Sequence, residues 1–334
     1  MKRLMKALPL LVLVVALVAG VGYRYWETRL AAPLTIDEPV IYEVPEGAGF
    51  HRVVAELGER GIIADAWAFR LLTRFDADAV PSLRPGEYRL TPDMTGEDML
   101  ERLRRHEMVT YSVTVPEGWT FAQMRAALAD AEKLEPVIQG LSDAEVMERL
   151  GRAGEHPEGR FFPDTYRYRK GVSDLEILRQ AMTRMDEVLA AVWEERAAEL
   201  PFTTPYEALI MASLIERETG APEERERIAG VFVRRLEQGM RLQTDPTVIY
   251  GMGDDYDGNI TRADLREATP YNTYVIEGMP PTPIALPGRA SLEAAVDPAE
   301  GEALYFVARG DGTHHFSRTL REHNNAVNRY IRNR

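Results

Sequence analysis

The chain has 334 residues, of which 45% are apolar and 28% charged. That is two-domain length with ordinary globular usage, which excludes global disorder and collagen-like repeats. Acidic residues outnumber basic ones by 53 to 40, for a net charge of −13, so a nucleic-acid partner, which needs a basic stripe, is excluded as well. No cysteine is present, which removes disulfides, cysteine-ligated zinc and thiol nucleophiles.

Lys2, Arg3 and Lys6 precede an apolar run of 17 residues, Ala7 to Tyr23. As a helix it would span about 25 Å, the short end of what a hydrocarbon core of ~30 Å requires. Tyr23, Tyr25 and Trp26 follow as interfacial aromatics, and the positive flank predicts an internal N-terminus with the body outside. A cleaved signal peptide is the competing reading. Ala19, Gly20 and Gly22 permit it, but no A-x-A site is present, so a retained transmembrane helix over 7–23 is expected, after a cytoplasmic tail of residues 1–6. Residues 24–40, with Pro33 and Pro39, read as a linker that tethers the body to the span.

From Ile41 a strand leads through Pro45–Gly49 into a helix with Phe50, Val53, Val54 and Leu57 on one face. A second helix, a Pro85-Gly86 turn, a strand with Tyr88 and Leu90, and a third helix follow. Residues 41–108 resemble a small LysM-like glycan-binding module. The strand and V-P-E-G turn at residues 42–47 recur at 111–118 before a helix capped by Thr120, as if one unit were repeated. Residues 140–200 read as charged helices broken at 158–168 by Phe161, Phe162 and Tyr166, either a packed loop or one wall of a sugar groove.

The most informative stretch is "TTPYEALIMASLIERETG". Thr204, Pro205 and Glu207 mark a helix start, and Gly220 and Pro222 mark its end, giving a helix over 205–219. At about 100° per residue, Glu218 falls in the centre of the stripe formed by Ile210, Met211, Leu214 and Ile215, with Glu216 nearly opposite. A carboxylate on an apolar face is costly. Burial raises its pKa, which suits a general acid; from the wheel alone a salt bridge from Glu218 to Arg225 or Arg227 is the blander and favoured reading. Two polar clusters follow. Gln243, Thr244, Asp245 and Thr247 surround Pro246, and Tyr271, Asn272, Thr273 and Tyr274 precede a proline-rich loop. They read as loops suited to amide- and hydroxyl-rich ligands, or as two ordinary turns. His314, His315 and His323 match no compact zinc spacing. The acidic "GDDYDGN" at 253–259 lacks the calcium-loop register and reads as a solvated hairpin loop. No metal or other cofactor is expected.

These segments, with "LYFVARGDGTHHF", resemble the YceG-like endolytic murein transglycosylases, most densely over residues 205–325. Leu286 departs from the polar residue often found there in relatives. The resemblance implies an α+β fold: the anchor, the LysM-like module, and a larger α+β catalytic domain over 109–334 with a helix-borne glutamate. In that family the catalytic acid precedes the threonine of I-E-x-E-T, which is Glu218 here. Gln243, Thr244, Asp245, Thr247, Tyr271, Asn272, Tyr274 and His314 would bind the sugars, and Glu216 would form a salt bridge or orient the helix. The implied reaction is endolytic cleavage of the MurNAc-β-1,4-GlcNAc bond to 1,6-anhydro ends, terminating strand growth beside peptidoglycan synthases at the inner membrane, with the body periplasmic. A non-catalytic peptidoglycan-binding scaffold and a lysozyme-type hydrolase using Asp245 are the alternatives.

Overall fold

The computed structural model describes residues 2–75 and 80–332, without the side chains of residues 2–10 and of Phe75. Met1 of the expected tail, residues 76–79 of the expected LysM-like module and residues 333–334 of the expected catalytic domain lie outside it. The chain forms two compact units, one of Met1–Tyr111 with Tyr168–Lys170 and one of Ser112–Arg167 with Gly171–Arg334.

The first unit begins with α1 (Lys2–Leu30). Among the described residues, one helix, over Leu11–Leu30, is long and apolar enough to cross a membrane. The helix does not stop at Tyr23, and the linker expected over 24–40 is corrected accordingly. No breaker interrupts residues 24–30, Arg24 pairs with Glu27 one turn on at 3.1 Å, and the Trp26 indole N–H donates to the Ala68 carbonyl at 2.7 Å. Leu30 and Leu34 are core residues, and the Leu34 and Thr35 amides donate to the carbonyls of Met94 and Ile62. An apolar stretch of this kind is drawn into a core instead of staying a solvated tether.

Strand β1 (Val40–Val44), helices α2 (Phe50–Glu59) and α3 (Ala66–Phe75), strand β2 (Gly86–Leu90) and helix α4 (Gly96–Arg104) complete this unit. β1 and β2 are antiparallel, from Val40 opposite Leu90 to Val44 opposite Gly86. Period-two alternation turns Tyr42, Val44, Tyr88 and Leu90 inward, onto Phe50, Val53, Val54 and Leu57 at helical spacing on α2. Thr95 and Asp98 form a capping box at the start of α4. Gly96 sits where a Cβ would overlap both the Phe69 ring and the Leu30 carbonyl.

The second unit contains most of β3 (Tyr111–Thr114) and β4 (Thr165–Tyr168), which pair, and helices α5 (Phe121–Ala129) and α6 (Asp143–Arg149). Then come α7 (Asp174–Glu194), α8 (Pro205–Glu218), α9 (Arg225–Glu237), α10 (Asp245–Met252), α11 (Arg289–Val296), the antiparallel β5 (Tyr305–Ala308) and β6 (His314–Ser317), and α12 (Leu320–Val327). The two V-P-E-G segments do build the same strand–turn–helix step. Gly47 and Gly118 take the left-handed conformation, at φ 70° and 77°, which a side chain would disfavour. Phe161 is fully buried and stacks on Phe121 at 4.9 Å, so residues 158–164 pack as a loop against the core and 165–168 continue as β4. The acidic stretch at 253–259 is an exposed 3-10 turn followed by coil, not a hairpin.

Helix α8 is the axis of this unit. The wheel gives it one apolar stripe, yet every residue from Ala208 to Ile215 is buried. Its small side, Ala208, Ala212 and Ser213, lets other elements approach closely, and the Ser213 hydroxyl is satisfied by the Ile210 carbonyl and the Ile284 amide. A helical segment without a solvent face must lie in the core.

The close approach at Gly96 yields a stability test. Gly96→Ala should cost about 1–3 kcal/mol through overpacking, read as lost hydrogen-exchange protection in β1 and β2 while the amides of α8 stay protected.

Candidate active site

α8 ends at Glu218, one residue earlier than the caps suggest. Thr219 leaves the helix in an extended conformation, φ −141°, and its hydroxyl accepts from the Ala221 amide at 2.9 Å. Gly220 does not take the left-handed cap role. Glu218 therefore occupies the negative end of the helix, where unpaired carbonyls disfavour a second negative charge.

Its carboxyl lines a cavity of about 370 Å³ whose walls include Arg235, Asp245, Tyr274, Tyr305 and His314. The Thr244 hydroxyl donates to Glu218 Oε1. Thr244 is the N-cap of α10, but its hydroxyl makes no capping bond; it is turned onto Glu218 instead. A lattice of buried threonines holds it there. The Thr244 amide donates to the Thr273 hydroxyl at 3.0 Å, and the Thr247 hydroxyl meets the Thr244 carbonyl at 2.7 Å and Thr273 Oγ1 at 2.8 Å. Gln243, just before, is one of the few non-glycine residues with positive φ, at 53°, a strained conformation that persists only where its surroundings enforce it.

Burial pushes the Glu218 carboxyl up to about 7. The Thr244 hydrogen bond opposes this, Asp245 adds to it, and His314 and Arg235 pull it back. Arg235 is itself buried and spends its donors on carbonyls, Leu304 at 2.7 Å and Leu242 at 2.8 Å, beneath the Tyr305 ring at 5.0 Å. It supplies positive potential without closing an ion pair on Glu218. The salt bridges left open by the wheel go elsewhere: Arg225 lies 3.8 Å from Glu216, and Arg227 stacks over Phe316 at 3.9 Å. Glu216 accepts from the Gly288 amide at 3.0 Å and the Ser291 hydroxyl at 2.7 Å.

Of the residues singled out in the sequence, Gln243, Asp245, Tyr274 and His314 line the cavity with Glu218. Tyr274 donates to Asp245 Oδ1 at 2.5 Å. Thr244 and Thr247 stand behind the wall, at 2% and 0% exposure. Asn272 is not in the wall either: its amide group donates to the Asp264 and Glu267 carbonyls and accepts from the Tyr274 amide, so it shapes the loop that presents Tyr274. Tyr271 meets Thr282 at 2.9 Å and the Tyr250 ring at 4.9 Å, also outside the wall. The segment read as a polar loop, Asp245 to Met252, is helical; a Thr-Asp-Pro start is an N-terminal signature that was legible there.

Four residues escape the sequence reading. Arg235 falls seven residues after Ile228 and three after Phe232 on the apolar side of α9, the same anomaly that marks Glu218. His323 and Tyr305 enter through packing alone. Buried Glu224 clamps His314, accepting from its Nδ1 at 2.7 Å and its backbone amide at 2.9 Å. With Glu224 accepting, Nδ1 carries a hydrogen, which fixes the ring's orientation toward the cavity.

Comparison with known proteins agrees with this architecture. The YceG-like family profile matches residues 42–329. A Bacillus subtilis (strain 168) protein named endolytic murein transglycosylase is 31% identical over 334 aligned residues, covering 94% of this chain and 91% of that one. Streptococcus pneumoniae proteins of the same name are 26% identical over 95% of this chain, which spans 63% of their length. A crystal structure of a YceG-like protein from Listeria monocytogenes superposes with a TM-score of 0.53 at 30% identity, covering 86% of this chain and 99% of that one. The chain belongs to the YceG-like family.

Two measurements probe the acid itself. Thr244→Val removes a hydrogen bond that favours the ionised form, so the Glu218 pKa should rise further above 7, read by carbon NMR titration. Between pH 4.5 and about 7 the folded protein keeps a proton that the unfolded chain releases, so Glu218 makes stability fall as pH rises across that window. Glu218→Gln should flatten that slope and raise Tm at neutral pH.

Proposed function

We propose that the chain is an endolytic murein transglycosylase, a lyase that cuts peptidoglycan glycan strands internally, with Glu218 as its one acid–base residue. The observation that carries this reading is a carboxyl poised at about 7 at a partly buried helix end, open to a cavity and held by the Thr244 hydroxyl. A hydrolase needs a second carboxylate to activate water or form a covalent intermediate. An internal transglycosylation does not. Glu218 donates its proton to the oxygen leaving C1 of the muramyl residue, and that residue's C6 hydroxyl attacks C1. Glu218 then takes the C6 hydroxyl proton, leaving a 1,6-anhydro end and a restored acid. Arg235 and the neighbouring dipoles stabilise the carboxylate that exists between the two transfers.

In this reading Gln243, Asp245, Tyr274 and His314 face the sugars, whereas Thr244 and Thr247 act from behind. The strand–helix–helix–strand module of the first unit serves as a LysM-like glycan clasp. α1 anchors the chain in the inner membrane with its N-terminus cytoplasmic and both units periplasmic, where cleavage beside peptidoglycan synthases would end strand growth. Asp245, in the wall with Glu218, gives a lysozyme-type hydrolase a specific footing as the second reading.

Digestion of purified sacculi by the full-length protein separates them. Anhydro-muramyl ends are expected; reducing ends would establish the hydrolase, and absence of cleavage a binding scaffold. Glu218→Gln should lower the rate about 10²–10⁴-fold with sacculus binding kept, and Glu216→Gln should retain far more activity. Because the step starts from protonated Glu218, kcat should decline as pH rises above about 7. Glu224→Gln should raise KM more than it lowers kcat, by loosening His314.

A further inference from the structure

The first unit carries a surface that the glycan reaction does not use. On α3 the exposed residues Trp67, Arg70 and Arg74 fall at spacings of three and four, on one side of the helix. Trp67 is 58% exposed, as open to solvent as the apolar residues of α1. Neither arginine has a carboxylate partner among the described residues, and α3 itself contains no acidic residue. Asp65, just before it, is turned back onto the amides of Trp67 and Ala68 at 3.2 and 3.4 Å. A basic and aromatic stripe of this kind stands out on a chain of net charge −13.

Its position gives it a partner. α1 is continuous into this unit, and the Trp26 indole is bonded to the carbonyl of Ala68, the residue next to Trp67. Val21 is the last of the exposed aliphatic residues on α1, and five residues of helix from there to Trp26 advance only about 7.5 Å. With Leu30 in the core, no slack separates the span from the module. Trp67 is thus held near the level of Tyr23, Tyr25 and Trp26, where aromatic rings favour the membrane interface, and Arg70 and Arg74 follow one and two turns further along α3, basic groups suited to anionic headgroups.

We propose that the Trp67–Arg70–Arg74 stripe of α3 seats the first unit on the lipid surface of the membrane that α1 crosses, with Trp67 at the headgroup boundary. This rests on the anchor reading of α1. The seat fixes the module's height above the bilayer, so the α1 junction is a rigid mount and not a flexible leash.

The lack of cysteine allows a clean test. Full-length Trp67→Cys carrying a bimane label is reconstituted in phosphatidylcholine–phosphatidylglycerol vesicles. Flotation reports the anchor, and quenching by a headgroup-level nitroxide lipid reports the seat. Loss of bimane emission is expected, and its recovery when Arg70→Glu and Arg74→Glu are added, with flotation unchanged. Unquenched emission in floating protein would overturn the seat alone. Emission that responds to a chitin oligosaccharide but not to the lipid quencher would make Trp67 a glycan platform and overturn it too. Failure to float would remove the anchor and the proposal together.

Discussion

The site depends on holding one carboxyl group half-buried at the end of a helix whose Ala208–Ile215 segment has no solvent face. Burial of Ala208 to Ile215 on every side fixes α8 in the core, so Glu218 is presented to the cavity from a rigid support. The helix terminus adds its own opposition to negative charge. Within that enclosure a single hydroxyl is supplied, from Thr244, at the price of leaving α10 without its side-chain cap. A carboxyl with several donors would ionise permanently; one with none would never give up its proton. One neutral donor, with buried Arg235 at a remove, sets it between those extremes.

Buried polar groups in this region are satisfied in a way that makes the geometry stiff. Thr244, Thr247 and Thr273 use both hydroxyls and backbone on each other, and Asn272 closes its own loop through three hydrogen bonds. A fully satisfied polar network in a low-dielectric interior specifies one arrangement, which is what holds Gln243 at its positive φ. The polar residues behind the cavity wall are therefore as much part of the site as those in it, because they orient Thr244 and Tyr274.

How legible was this in the sequence? Glu218 was visible because periodicity exposes a charge on an apolar face, and Arg235 would have been by the same rule. The helix starts at Thr120 and Thr204 were visible because capping boxes are local chemistry. Three things were not. The extension of α1 to Leu30 depends on tertiary burial of Leu30 and Leu34, which the polar residues around them masked. The full burial of α8 depends on close approach over Ala212 and Ser213, which a wheel scores as a neutral side. The separation of wall residues from backing residues within "QTDPT" and "YNTY" depends on which way each side chain turns, and composition carries no information on that.

Glu216 and Glu218 show how environment divides labour between identical side chains two residues apart. Both sit at the end of α8, and neither is freely solvated. Glu216 receives an amide, a hydroxyl and the nearby Arg225 guanidinium, contacts that tie α8 to the start of α11. Glu218 receives one hydroxyl and faces the neighbouring charge of Asp245, so its proton is retained near neutral pH. The 100° step of the helix, applied twice, turns one glutamate toward structural donors and the other toward the cavity.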